Sequence, residues 1–109
     1  MTLQLPPAIA AYFSVDRAGD IDAILACFTE DASVLDEGKM HQGHDAVRAW
    51  KAKSSAAYNY VSAPFAATSD TDQTIVTSRL TGDFPGSPLD LRYFFTLRAG
   101  KIAALEIKP

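Results

Sequence analysis

Apolar residues fall at intervals of three and four in the first half of the chain and alternate in the second half. Ile9, Tyr12, Phe13 and Asp16 share one face of a predicted helix that opens at Pro6-Pro7, where a missing N–H costs nothing. Gly19 is placed to end that helix, and Asp20 to cap the next by accepting from its free amides. Ile21, Ile24, Leu25 and Phe28 give the i, i+3, i+4, i+7 stripe of a second helix, closed by Thr29-Glu30-Asp31. A strand over 32–36 follows, with Val34 and Asp36 on one face and Ser33 and Leu35 on the other. Lys39-Met40-His41 reads as a short return strand. A third helix is predicted over 44–58, with Val47, Trp50, Ser54 and Ala57 inward and Arg48, Lys51 and Lys53 outside. The remainder is β: strands over 60–68 (irregular at Pro64), 74–84, 89–98 and 101–107. Turns at Asp70-Thr71-Asp72, Pro85-Gly86-Ser87-Pro88 and Ala99-Gly100 separate them. Helices first and hairpins afterwards predict an α+β domain, a curved antiparallel sheet with three N-terminal helices on one face.

Composition narrows the functions. A length of 109 residues suits one domain, 1–109, with a core that needs no staples. The net charge of −3 comes without a basic run, which argues against nucleic acid. Nothing reaches the length of a membrane span, and Met1 to Pro7 lacks the pattern of a secretory leader. A cytoplasmic protein is therefore expected. Cys27 is the only cysteine, set between Ala26 and Phe28 as core packing, so neither an intrachain disulfide nor a thiolate metal cluster is expected. His41 and His44 straddle a turn and have no third ligand at a sensible spacing, so no metal is expected. His44 is expected exposed at the start of the third helix.

Several stretches together resemble the nuclear transport factor 2-like superfamily, which includes ketosteroid isomerases, scytalone dehydratases, limonene epoxide hydrolases and SnoaL-like polyketide cyclases. They are Tyr12 through Ala18-Gly19-Asp20, Phe28-Thr29-Glu30-Asp31-Ala32-Ser33-Val34, Gly43-His44-Asp45-Ala46-Val47-Arg48-Ala49-Trp50, and Ala99-Gly100-Lys101-Ile102. The resemblance implies a cone-shaped fold with a small-molecule pocket between sheet and helices, and a homodimer through the outer face of the sheet. It speaks for the fold far more than for any one activity.

The resemblance also implies roles. Asp36 falls where the isomerases carry their general base; a carboxylate in an apolar cone can take a proton from carbon beside a carbonyl. The plainer alternative is an aspartate capping the turn with Glu37-Gly38. Tyr12 matches the tyrosine that donates to the developing enolate oxygen, and Trp50 an aromatic of the pocket wall. The isomerases' protonated aspartic acid falls, by register from Ala99-Gly100-Lys101, at Arg92, a fixed cation suited to an anionic or carbonyl-containing ligand. That register puts Asp90, Arg92, Phe94 and Thr96 inward. Leu91, Tyr93, Phe95 and Leu97 then face outward, an apolar surface that a second copy would cover. His41 could share a proton with Asp36, as histidines do in the SnoaL-like cyclases. The expectation is a cofactor-independent acid–base enzyme: an isomerase, dehydratase or cyclase acting next to a carbonyl. Asp90, Arg92 and Asp36 leave an epoxide hydrolase-like enzyme as an alternative. A third reading is a non-catalytic module that uses the cone only to hold a ligand or to dimerise.

Overall fold

The chain enters α1 (Pro7–Ala18) through Pro6-Pro7 and leaves it through Gly19, whose φ of 76° lets its N–H reach the carbonyls of Val15 and Asp16. Asp20 then caps α2 (Ile21–Leu25), its carboxylate accepting from the Ala23 N–H at 3.1 Å. The computed structural model describes residues 4–57, 59–69 and 73–109, with only the backbone at 17, 18 and 55–57. Tyr58 and the expected Asp70-Thr71-Asp72 turn lie outside the described residues.

The second helix is shorter than its apolar stripe. Phe28 was expected on it but opens β1 (Phe28–Asp36) instead, pairing with Ile102, while Ile102 N–H donates to Cys27 O at 2.8 Å. Both Phe28 and Ile102 are fully buried, so the sheet's own core claims Phe28. The return strand is β2 (Lys39–Gln42), followed by α3 (His44–Ala57). Strands β3 (Tyr60–Ser69), β4 (Thr74–Gly82), β5 (Leu89–Arg98) and β6 (Lys101–Lys108) complete a six-stranded sheet ordered β2-β1-β6-β5-β4-β3. All neighbours are antiparallel except β1 and β6, which run parallel because β1 arrives from the helices rather than from a hairpin. Phe65 is an extra residue between Pro64 and Ala66, as the proline in that strand foretold. Ala103 is a second one, opposite the step from Thr96 to Leu97. Bulges of this kind curl a sheet, and the helices fill the concave side.

The core fixes the phase of β5, and it is opposite to the expectation. Tyr93 and Phe95 are buried and meet α1: Phe13 lies 5.1 Å from Tyr93 and 5.9 Å from Phe95, and Tyr12 lies 5.8 Å from Phe95, all edge to face. Leu91, Tyr93, Phe95 and Leu97 therefore face inward, and the set expected to seek a partner copy is core. Asp90, Arg92, Phe94 and Thr96 face outward. Arg79 on β4 holds Asp90 with two hydrogen bonds, and Arg92 donates to Pro109 O and covers the Phe94 ring. Both faces of β5 carry aromatic residues, so alternation alone does not choose between them; α1 does.

Among the described residues, no helix is long and apolar enough to cross a membrane. Cys27 is buried, its Sγ 3.5 Å from Ala23 O, and burial raises its pKa against the pull of Lys101. His44 starts α3 as expected but is half-buried, with Nε2 3.2 Å from Phe28 O; the early start of β1 brings that carbonyl to it.

Candidate active site

The concave side of the sheet opens into a cavity of about 540 Å³, within the range of small-molecule sites. Its polar groups come from six elements. Asp36 closes β1 on the face of Val34, so the strand's alternation carries it to the cavity wall. Trp50 comes from α3, one turn after the fully buried Val47, and its Nε1–H donates to Asp36 Oδ2 at 2.9 Å. The indole thus packs as wall and orients the carboxylate. His41 on β2, opposite Val34, also lines the cavity, its ring 6.3 Å from that of Trp50.

The floor holds a residue that the sequence reading assigned to the outside. Lys51 is 3% exposed. Its Nζ donates to Tyr12 Oη at 3.1 Å and to Asp16 Oδ1 at 2.9 Å. Tyr12 and Asp16 stand one turn apart on the inner face of α1, so a single ammonium spans both. Nζ also lies 4.5 Å from the centre of the Trp50 ring and 5.2 Å from that of Tyr12. Burial disfavours the ammonium, but the Asp16 carboxylate and then the Tyr60 oxygen outweigh it, and the pKa of Lys51 is raised.

Three tyrosines converge with it. Tyr12 is pushed well above the ordinary tyrosine value, first by burial and then by Asp16. Tyr60 is raised by burial while Lys51 pulls it down. Tyr93 is raised by burial and then by Tyr12. All three therefore keep their protons at neutral pH. Tyr60 owes its place to Gly82, its partner across β3 and β4. A Cβ on Gly82 would stand 2.2 Å from Asn59 O and 2.8 Å from Tyr60 Cα, so only glycine permits this approach.

Asp36, Tyr12, Trp50 and His41 all line one cavity. Arg92, Asp90 and Phe94 do not: all three lie on the convex face, placed there by the phase of β5. The sequence reading missed Lys51, Asp16, Tyr60 and Tyr93. Lys51 follows Val47 by four and Trp50 by one, inside the buried stripe of α3. Asp16 falls on the apolar face of α1. Opposite charges on two inward stripes are the signal of a buried pair.

The sequence model of the SnoaL-like domain matches residues 9–105. No curated protein matches the sequence. Among solved structures, a candidate polyketide cyclase from Sinorhizobium meliloti is 42% identical, with 95% of each chain covered and a TM-score of 0.92. A protein of ketosteroid isomerase-like fold from Catenulispora acidiphila, in complex with trimethylamine, is 18% identical over 97% of this chain and 87% of that one, with a TM-score of 0.84. TerC, co-crystallised with polyporic acid, is 21% identical over 94% of this chain and 88% of that one, with a TM-score of 0.85. At such identities the last two bear on the fold alone.

Proposed function

The chain belongs to the SnoaL-like domain family, and on that premise we propose that its cavity is the active site of a small-molecule enzyme that moves a proton next to a carbonyl. The observation that carries this reading is the pairing in one cavity of the Asp36 carboxylate, held by Trp50, with a phenol donor, Tyr12, backed by a buried ammonium. Asp36 takes a proton from the carbon beside the carbonyl. The electron pair of the broken C–H bond moves onto the carbonyl oxygen, and the enolate forms beside Tyr12. The negative charge passes from Asp36 to the substrate, so no net charge is added to the cavity. Return of the proton to another carbon gives isomerisation, loss of a β-hydroxyl as water gives dehydration, and attack of the enolate carbon on a second carbonyl gives cyclisation. In each case Asp36 ends as it began. The hydrolase alternative loses its aspartate–arginine pair, since Asp90 and Arg92 lie outside the cavity.

The test is deuterium incorporation, followed by proton NMR, into a panel of cyclic and aryl ketones in D₂O. Wild type accelerates exchange at the α-carbon. Asp36→Asn lowers that acceleration by about 10²-fold or more, the scale of a lost general base. Exchange that persists undiminished in Asp36→Asn overturns the assignment, and a protein that binds such ketones without exchanging them is a ligand-holding module.

A further inference from the structure

The buried ammonium at the cavity floor goes beyond the base and the phenol. We propose that Lys51, through Tyr12, fixes the ligand class of the cavity: compounds that present an oxyanion, a phenolate or an enolate, to the Tyr12 hydroxyl. This rests on the cavity being the reaction site and adds the charge it selects.

Two of the three Nζ–H bonds are directed at Tyr12 Oη and Asp16 Oδ1, and the ammonium is almost wholly buried among its partners. Lys51 is therefore a positioning residue. By donating to the Tyr12 oxygen it occupies a lone pair there, so the hydroxyl's own proton points elsewhere. A phenol that accepts from a cation is also a stronger donor, because the charge draws electron density from its oxygen. The raised pKa values of Tyr12 and Tyr60 keep both as donors at neutral pH. The same geometry argues against Lys51 as an amine nucleophile, which needs a lowered pKa, whereas Asp16 holds this one as ammonium.

The cavity is also already supplied with a cation. Trp50 and Tyr12, whose ring faces could receive a ligand cation, receive Lys51 instead. A second cation there would meet the first in a poorly screened setting. An anion meets the Tyr12 donor with a positive charge behind it, while Asp16 tempers that charge from the far side and the Asp36 carboxylate on the cavity wall opposes the anion.

The probes are 4-nitrophenol, at a pH where it is ionised, and its neutral methyl ether 4-nitroanisole, with binding followed by absorbance and calorimetry. Wild type prefers the phenolate by about tenfold or more. Lys51→Met removes the preference. If Lys51→Met does not fold, Lys51→Met/Asp16→Asn carries no unpaired charge and gives the same reading. The assignment is overturned if wild type binds both probes equally or if the preference survives loss of Lys51. A phenolate preference without α-proton exchange on any ketone leaves Lys51 in its role and removes the enzyme. Exchange without the preference does the reverse.

Discussion

Two ion pairs with the same N–O separation stand on opposite faces of the molecule. Lys51 and Asp16 meet at 2.9 Å beneath the cavity, their side chains 4% and 9% exposed. Arg79 and Asp90 meet at 2.9 Å on the convex face of the sheet, 57% and 44% exposed. Around the outer pair, water solvates each charge whether or not its partner is there, so the pair changes little on folding. Around the inner pair nothing replaces a lost partner: either residue alone leaves a desolvated charge. Contact distance does not distinguish a pair that water can replace from one that it cannot; the surroundings do. A fold stable without that inner charge would still keep it if the cavity needed a fixed cation.

The sharpest way to break the comparison is to remove one member of each pair. Asp16→Leu should cost about 3–5 kcal/mol, because it strands the ammonium of Lys51. Adding Lys51→Met should recover most of that loss, since a Met–Leu contact needs no solvation. Arg79→Ala should leave the urea midpoint where it is. Equilibrium urea unfolding of the four proteins decides it: equal midpoints for Asp16→Leu and Arg79→Ala would mean that water reaches the inner pair.

The same contrast explains how much of the molecule was legible in the sequence. The helix boundaries at Pro6-Pro7, Gly19 and Asp20 could be read because each rests on a backbone requirement that few residues meet. Asp36 and Trp50 could be read because a strand's alternation and a helix's turn carry them inward. The phase of β5 could not. Aromatic residues at 93, 94 and 95 satisfy either face, and the choice belongs to Tyr12 and Phe13 on α1, some eighty residues away in sequence. Lys51 was misplaced for a related reason: a lysine is usually outside, and only Asp16 on another helix makes its burial tolerable. Local rules found the elements and half of the site; the half that depends on tertiary pairing escaped them.

Gly82 sharpens the comparison at the cavity wall. A Cβ added there would run into the Asn59 carbonyl and the Tyr60 backbone, with no flexible side chain to give way. Gly82→Ala should therefore cost about 1–3 kcal/mol by overpacking. It should also move Tyr60, seen as shifted ring resonances of Tyr60 and of Trp50, which lines the same cavity, in aromatic NMR spectra. A glycine-to-alanine change at Gly86, where a Cβ meets open space, tests whether crowding or backbone strain is responsible, since Gly86 has a positive φ and Gly82 does not. Strain without crowding would leave the Tyr60 and Trp50 resonances in place.

The smallest effect concerns protons. Lys51, Tyr12, Tyr60 and Tyr93 all have pKa values raised by the fold. Each holds its proton in the native state at a pH where the unfolded chain begins to lose it. Their contribution to stability is therefore complete below the unfolded values, near pH 10, and declines as the pH rises through and beyond them. These four and the buried Cys27 thiol, whose ordinary value is lower still, shift in the same direction, so the losses add to about 1–2 kcal/mol between pH 9 and pH 10. The outer face contributes nothing of this kind there, because Asp31 and Asp90 titrate in acid, where the arginines Arg98 and Arg79 hold their carboxyls below the usual value. Urea midpoints measured across that alkaline interval should fall for wild type and fall less for Tyr93→Phe, which removes one titrating phenol while keeping its ring against Phe13. A flat profile would show that the phenols at the cavity reach water as readily as the arginines of the convex face.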